Sequence, residues 1–436
     1  MVTAAQILIW GELVGAVQWH EDRALASFQY APSFLKKGYD LSPIHIPNAK
    51  GSGIFQFPQL KGNKDAASDT FKGLPGLLAD SLPDKYGNEL INVWLAQQGR
   101  PADSMNPVEQ LCFIGKRAMG ALEFVPSVVV GKGAETAIEI DQLVEVARKM
   151  LGRRANFSTN IAQEQKALKQ ILNIGTSAGG ARPKAVIAYN EKTREVRSGH
   201  AEAPNGFEHW LLKLDGVSDA QFGDSLGWGN VEYAYYLMAK DCGIDMMPCL
   251  LLEEGNRAHF MTKRFDREGG GIKHHVQTFC AMQHADFTQM NSFSYEQLFQ
   301  CMRQLKLTYP EAEQLYKRMV FNILATNCDD HTKNFAFLLK KGGKWELAPA
   351  YDVCYSYNPQ SAWVSQHTLS LRGKRTGFTR QDLLQFGKEN SAKKASKILL
   401  KTQSVLTKWP KYAAMAGVSK SLYETIQQHL GVNVQL

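Results

Sequence analysis

Two acids and an amide within one short stretch, Asn327 to Asp352 (NCDDHTKNFAFLLKKGGKWELAPAYD), have the spacing that suits phosphoryl transfer. Asp329 and Asn334 stand five residues apart, and Asp352 follows eighteen residues after Asn334. A phosphoryl donor carried on Mg²⁺ needs oxygen ligands at fixed positions, and Mg²⁺ takes one or two carboxylates plus phosphate oxygens. Asn334 and Asp352 can supply those ligands, while Asp329 stands nearer the attacking hydroxyl. A plainer alternative has Asp329 and Asp330 merely capping a turn. The flanks favour the chemistry. Ala312, Leu315, Tyr316, Met319, Val320, Ile323 and Leu324 recur at three- and four-residue spacing, which predicts an amphipathic helix leading into the loop. FAFLL and KWELA on either side of KKGGK predict a β-hairpin with a glycine turn. Helix, polar loop, hairpin and acid is the order in which a protein kinase presents its catalytic Asp, its metal-binding Asn and its second metal-binding Asp.

The elements that position these residues need a sizeable chain. At 436 residues there is room for two or three domains. Hydrophobic residues at 44% and charged residues at 21% are ordinary for a globular enzyme. MVTAAQILIWGELVG lacks a basic region followed by a long apolar run, so no signal peptide is expected. No window approaches the ~18 uninterrupted apolar residues of a membrane helix, so no membrane is expected as a partner. Seven cysteines, without a C-x-x-C pair, predict reduced thiols in a cytoplasmic protein rather than a disulfide frame or zinc site. The net charge of +8 is local: residues 372–411 hold eleven Lys or Arg against Asp382 and Glu389, leaving the remainder near −1.

From the N-terminus, ILIW, GELVGAVQW and ALASFQYA predict a small antiparallel sheet through about Tyr30, and IFQFPQL a further short strand. GLPGLLADSLPDKYGNELINVWLAQQG turns helical, with breaks expected at Pro83 and Gly87. ALEFVPSVVV adds a strand, and GKGAET marks a boundary, giving a first domain of residues 1–130. Helices are expected near Asp141 to Leu151 and from about Ile161 to Leu172.

NIGTSAGGARPKAVIAY then offers Gly175, Gly179 and Gly180, where backbone can approach a phosphate and successive N–H groups can form an anion nest. It does not match the Walker sequence, but a glycine-rich turn joined to strands resembles the lid over nucleotide phosphates in kinases. G-T-S-A-G also fits the nucleophile elbow of an α/β-hydrolase, which should follow a strand and open a helix. Here the pattern is helix before and strand after, the reverse. In HWLLKLDG, Lys213 is expected mid-strand, on the face opposite Leu212 and Leu214. The next helix, NVEYAYYLMAKDC, has Asn230 as its expected N-cap, Gly243 as its stop and Glu232 as a candidate partner for Lys213. PCLLLEE and RAHFMTKRFDR predict a hairpin, and HHVQTFCAMQ a hinge between lobes.

The ordered set GTSAGGARPKA, LLKLDG, RFDR, NCDDHTKNF and LAPAYDV resembles the HipA family of serine/threonine kinase toxins, the toxin halves of bacterial toxin–antitoxin pairs. The resemblance spans nearly the whole chain. It implies an α+β, bilobal kinase-like fold behind the N-terminal β-rich domain, with a small lobe at 131–280 and a mainly helical large lobe at 281–436. It implies Asp329 as catalytic base, Asn334 and Asp352 as Mg²⁺ ligands, and Lys213 on the ATP phosphates. Gly179, Gly180, Ala181, Arg182, Pro183 and Lys184 would form the phosphate loop. His331, Thr332, Lys333, Asn334, Tyr351 and Asp352 would border ATP, and Thr278, Phe279 and Cys280 would line the adenine hinge. Ser177 matches the place of a regulatory autophosphorylated serine. Implied partners are a Ser/Thr protein substrate, such as an aminoacyl-tRNA synthetase for some relatives, and a DNA-binding antitoxin on an operator. The chain departs from the family pattern in having Thr278 and Phe279 where members often carry an acidic pair, and Asp330 where some carry Gly.

His274 and His275 lie in a strand-like run and are expected to pack or to be solvated rather than to act as ligands, and His331 to hydrogen-bond its own loop. Lys393, Lys397 and Lys401 recur every four residues, opposite Ala395, Leu399 and Leu406, as on one solvated helix face. With Lys394, they also offer positions for DNA phosphate. The motifs together predict an ATP- and Mg²⁺-dependent serine/threonine protein kinase. Alternatives are a small-molecule phosphotransferase on the same fold, and a catalytically idle partner in an antitoxin–DNA complex.

Overall fold

A computed structural model describes residues 2–61, 70–127, 138–152, 171–172, 174–175, 182–199, 203–217, 226–269, 271–432 and 434–435. The chain forms two compact units: Met1–Leu226 with Leu250–Val276 and Lys340–Gly342, and Gly227–Cys249 with Gln277–Leu339 and Gly343–Leu436.

The first unit begins with strands β1 (Ala4–Ile9), β2 (Glu12–His20), β3 (Leu25–Tyr30), β4 (Ile54–Phe55) and β5 (Leu122–Val125). They form an antiparallel sheet in the order β4-β3-β2-β1-β5. Alternation sends Ala5, Ile7, Ile9, Phe28 and Tyr30 into the core. Trp10 and Gly11, both at positive φ, make the two-residue turn between β1 and β2, the geometry that matches the twist of a hairpin. A Cβ on Gly15 would fall 2.1 Å from the Gln29 carbonyl oxygen, so β2 and β3 can close only around a glycine there. The helical stretch splits at Pro83 into Gly76–Ala79 and Lys85–Gln97. Gly87 does not break it, because it lies buried inside the second helix.

The unit's other sheet contains β6 (Lys184–Tyr189), β7 (Val196–Ser198), β8 (Glu208–Lys213), β9 (Cys249–Glu254) and β10 (Arg257–Lys263), in the order β7-β6-β8-β10-β9. Helix Ile140–Gly152 buries Ile140, Leu143, Val144 and Ala147, as its spacing predicts. The expected helix ending at Leu172 lies mostly outside the described residues. Just past β10, Asp266 accepts from Arg264 (2.6 Å), Arg267 (2.8 Å) and the Gly120 amide (2.7 Å). Burial opposes its charge, but the two guanidiniums hold its carboxyl well below the usual carboxylate range. Arg267 also donates to the Gly120 and Ala118 carbonyls. RFDR therefore clamps the segment that enters β5.

The second unit is helical around one hairpin. Tyr235, Phe321 and Trp409 meet edge-to-face in its core, with ring centroids 6.0–6.1 Å apart. Helix Trp228–Asp241 starts two residues before the expected cap. Gly227, at φ +82°, turns the chain into it, and the Asn230 amide instead donates to the Ala416 carbonyl at 2.7 Å. Gly243 follows its end at positive φ, as expected of a stop.

Candidate active site

Helix Tyr309–Leu324 carries the predicted apolar face into the core, burying Leu315, Tyr316, Met319, Val320, Ile323 and Leu324. Glu311, in its first turn, accepts from the Thr308 amide at 2.7 Å and from the Leu347 amide at 2.8 Å. One carboxylate thus caps the helix and holds strand Trp345–Leu347, which pairs with Ala336–Leu339 as the predicted hairpin. Thr326, at φ +58°, turns the chain out of the helix and into the loop.

That loop is cross-braced. The Asn334 side-chain amide donates to the Asp329 carbonyl at 2.7 Å, closing the five-residue interval on itself. Asn334 Oδ1 is therefore its end suited to a cation. Tyr351 donates to the Lys333 carbonyl at 2.6 Å, and Thr332 to the Ala285 carbonyl at 2.7 Å. The Lys333 amide donates to His331 Nδ1 at 3.3 Å, as expected of a loop-bound histidine. Asn327, Asp330, Asn334, Tyr351 and Asp352 line one small pocket, to which Arg318 and Asn322 also contribute. Asp352 holds φ +52°, a left-handed conformation that a non-glycine residue adopts seldom and that aspartate tolerates better than most.

Asp329 has a side chain 38% exposed, and its Oδ1 accepts from the Trp363 indole at 2.6 Å. Crowding by protein atoms raises its pKa above the ordinary value, and solvent at the exposed part screens that effect. His331 and the Trp363 hydrogen bond oppose the rise, while Asp352 and Asp330 add to it.

Asp330, of undetermined role in the sequence, is buried beneath the loop. It accepts from Tyr295 Oη (2.7 Å), the Thr368 amide (2.8 Å) and the Leu369 amide (3.3 Å), and pairs with His367 Nδ1 at 2.9 Å. Asn322 links Tyr295 to Asn327, so the relay reaches back to the start of the loop. Burial alone would favour a neutral His367, but Asp330 and the nearby Cys328 raise its pKa to about 10. Sequence spacing missed His367 and Trp363, which lie 37 and 34 residues beyond their partners.

Thr278 caps helix Phe279–Gln283, its Oγ1 accepting from the Ala281 amide at 3.2 Å. Phe279 and Cys280 are buried, and the Phe279 amide donates to the Phe335 carbonyl at 2.7 Å. In the first unit, Lys213 is the last residue of β8, not mid-strand. Leu212 and Leu214 are buried on the face opposite it, as alternation requires. Lys184 stands directly across from Lys213 on β6, and Phe260 across from it on β10, so all three share a face. Lys213 Nζ lies 5.8 Å from the Phe260 ring centroid. Two lysines thus stand opposite each other at this end of the sheet. Pro183 accepts from the Leu214 amide at 3.0 Å, and Arg182 precedes it half-buried. Gly175 makes room for Leu90 and Tyr86 side chains. Gly179, Gly180, Ala181 and Ser177 lie outside the described residues.

All seven cysteines are free. Among the described residues no three His, Cys, Asp or Glu cluster as a metal site, and no helix is long and apolar enough to cross a membrane. His274 and His275 are buried, as expected of packing residues.

The HipA N-terminal domain family matches residues 5–125, and the HipA-like C-terminal domain family matches residues 176–409, more than half of the chain. The chain belongs to the HipA family. Among solved structures, this HipA-family chain is similar to HipA of Shewanella oneidensis MR-1, determined as a toxin–antitoxin complex of HipA, HipB and operator DNA. The TM-score is 0.66 at 16% identity, over 98% of this chain and 96% of that one. The two share an α+β fold along almost their entire lengths. The chain is also similar to the Helicobacter pylori proinflammatory kinase CtkA, at 15% identity and a TM-score of 0.36, over 52% of this chain and 86% of that one. The HipA-type architecture makes its broad class that of a kinase-type phosphotransferase.

Proposed function

We propose that this HipA-family protein is an ATP- and Mg²⁺-dependent serine/threonine protein kinase, acting in the cytoplasm as the toxin of a toxin–antitoxin pair. The observation that carries the reading is the braced loop, in which the Asn334 side-chain amide ties back to the Asp329 carbonyl while Asn334 and Asp352 line one pocket. Asp329 takes the proton of a Ser or Thr hydroxyl as that oxygen attacks the γ-phosphorus of ATP and ADP leaves. The oxygen donors of Asn334 and Asp352 fit a hard cation, and would hold Mg²⁺ where it offsets phosphate charge. Lys184 and Lys213, on one face of their sheet, supply positive charge for phosphate together with Arg182, in a phosphate loop completed by Gly179, Gly180, Ala181 and Pro183. His331, Thr332, Lys333 and Tyr351 border the nucleotide, and the Thr278–Cys280 segment contributes backbone at the adenine. In the proposed three-part division at residues 130 and 280, these tasks fall to a small and a large lobe that follow the N-terminal domain in sequence.

A DNA-binding antitoxin and operator DNA are the proposed partners, by analogy with the complex of the similar HipA. Ser177 is proposed as an inhibitory autophosphorylation site: a phosphate adds about −1.5 to −2 charges where ATP phosphates must sit. The substrate is a protein, and a translation component such as an aminoacyl-tRNA synthetase is the family precedent.

Incubation with labelled ATP, Mg²⁺ and lysate tests the reading. Wild type should label a protein band and its own Ser177. Asp329→Ala and Asp352→Ala should remain folded and lose ~10²-fold or more of that labelling. Near-normal turnover in both variants would falsify the kinase assignment, and a labelled metabolite would redirect it to small molecules.

A further inference from the structure

The stretch between Asp352 and helix Arg380–Glu389 carries no sequence signature of catalysis, yet it delivers a side chain to Asp329. Ser361 shapes it: its hydroxyl accepts from the Trp363 amide (3.1 Å) and the Val364 amide (3.3 Å), and its carbonyl accepts from the Ser365 amide (3.2 Å). The Trp363 indole is thereby presented to Asp329 Oδ1 at 2.6 Å. Phe287 backs it edge-on, with centroids 6.2 Å apart, and lies 5.2 Å from the His331 ring.

His331 narrows the choice of oxygen. Its Nδ1 accepts from the Lys333 amide, so a neutral ring carries its proton on Nε2, which stands 3.9 Å from the same Asp329 Oδ1. Both ring N–H groups therefore converge on one carboxylate oxygen. We propose that Trp363 is a positioning residue that locks the Asp329 carboxylate, engaging Oδ1 so that Oδ2 faces the acceptor hydroxyl. This assignment rests on the kinase reading above. It adds a second anchor, from a different part of the chain, to the brace that Asn334 makes within the loop. An indole suits the task because its N–H donates only and sits on a rigid ring. A carboxylate left to rotate would spend much of its time out of line, and misplacement of about 1 Å costs up to ~10²-fold in rate.

Indole-¹⁵N labelling gives one N–H signal for each of the eight tryptophans, and Trp363→Phe identifies the relevant one by its loss. That signal should move upfield in Asp329→Ala. Trp363→Phe should lower kcat about 10- to 100-fold while leaving KM for ATP within about twofold. Trp363→His, which restores a ring N–H, should regain activity over Trp363→Phe. An indole signal indifferent to Asp329→Ala, a Trp363→Phe variant with normal kcat, or a His variant no faster than the Phe variant overturns the role of Trp363. Asp329→Ala measured alongside separates the two levels of inference. Its activity would sink the kinase reading, whereas its inactivity beside a normal Trp363→Phe sinks only the positioning role.

Discussion

Asp330 and His367 form a fully buried ion pair under the loop that carries Asp329. Removing one member of such a pair strands the other charge, so Asp330→Ala should cost about 3–5 kcal/mol of stability, read by denaturant unfolding. The pair also makes stability depend on pH. Folded His367 keeps its proton up to about pH 10, against an ordinary value of 6.5. A raised folded pKa stabilises fully below the unfolded value and loses its effect as pH rises through the folded one. The stability margin of wild type over His367→Gln should therefore be widest near pH 6 and shrink steadily toward pH 10; a margin flat across that range would contradict a charged His367. None of this was legible from spacing. Asp329, Asn334 and Asp352 stand out because one loop and its hairpin hold them, whereas Asp330 and Trp363 take their meaning from partners across more than thirty residues.

Elements with strong periodicity were legible: the helix at 309–324, the hairpin after it and the N-terminal strands all follow from their apolar patterns. Glycines misled where packing outweighed local propensity. Gly87 was expected to interrupt a helix that in fact buries it, and Gly227 starts a helix that Asn230 was expected to cap. Gly387, inside helix Arg380–Glu389, shows the same competition. Alanine would gain up to about 1 kcal/mol of helix propensity there. Its Cβ, however, would fall 2.6 Å from the Ala395 Cβ and 3.0 Å from Tyr316 Cζ and Oη. Tyr316 cannot swing aside cheaply, since it is buried and donates to the Leu383 carbonyl at 2.9 Å. Overpacking of this kind costs about 1–3 kcal/mol, so Gly387→Ala should lower Tm. A rise in Tm would mean that this helix contact relaxes freely.

For the whole molecule, the uneven charge is the property that a DNA-bound complex would register. Residues 372–411 carry the positive surplus, but several of its cations are already engaged. Arg372 and Lys374 pair with Glu389 and Asp382, and Lys394 lies 3.4 Å from Glu313. Lys393 Nζ sits 5.6 Å from the Tyr309 ring centroid. Lys397 and Lys401 are exposed on helix Ala395–Leu406, whose Leu399, Thr402 and Val405 are buried. Reversing Lys393, Lys394 and Lys397 to Glu should weaken operator binding of an antitoxin complex at low salt and flatten its log–log salt slope by ~0.9 per lost phosphate contact, without altering kinase activity. An unchanged slope would leave these lysines as a solvated face. The order of the chain has a consequence of another kind. β8 ends at Lys213, but its neighbour β10 is not complete until Lys263, and Asp266, the clamp on Gly120, comes just after. Helix Trp228–Asp241, which lies between them in sequence, belongs to the other unit. A fragment stopped at residue 226 would keep β6 to β8 while lacking β10 and β9, exposing backbone that invites pairing with another chain. At ribosomal speeds of ~5–20 residues per second, the growing chain carries that adhesive edge for roughly 3–10 s before its own later residues can cover it.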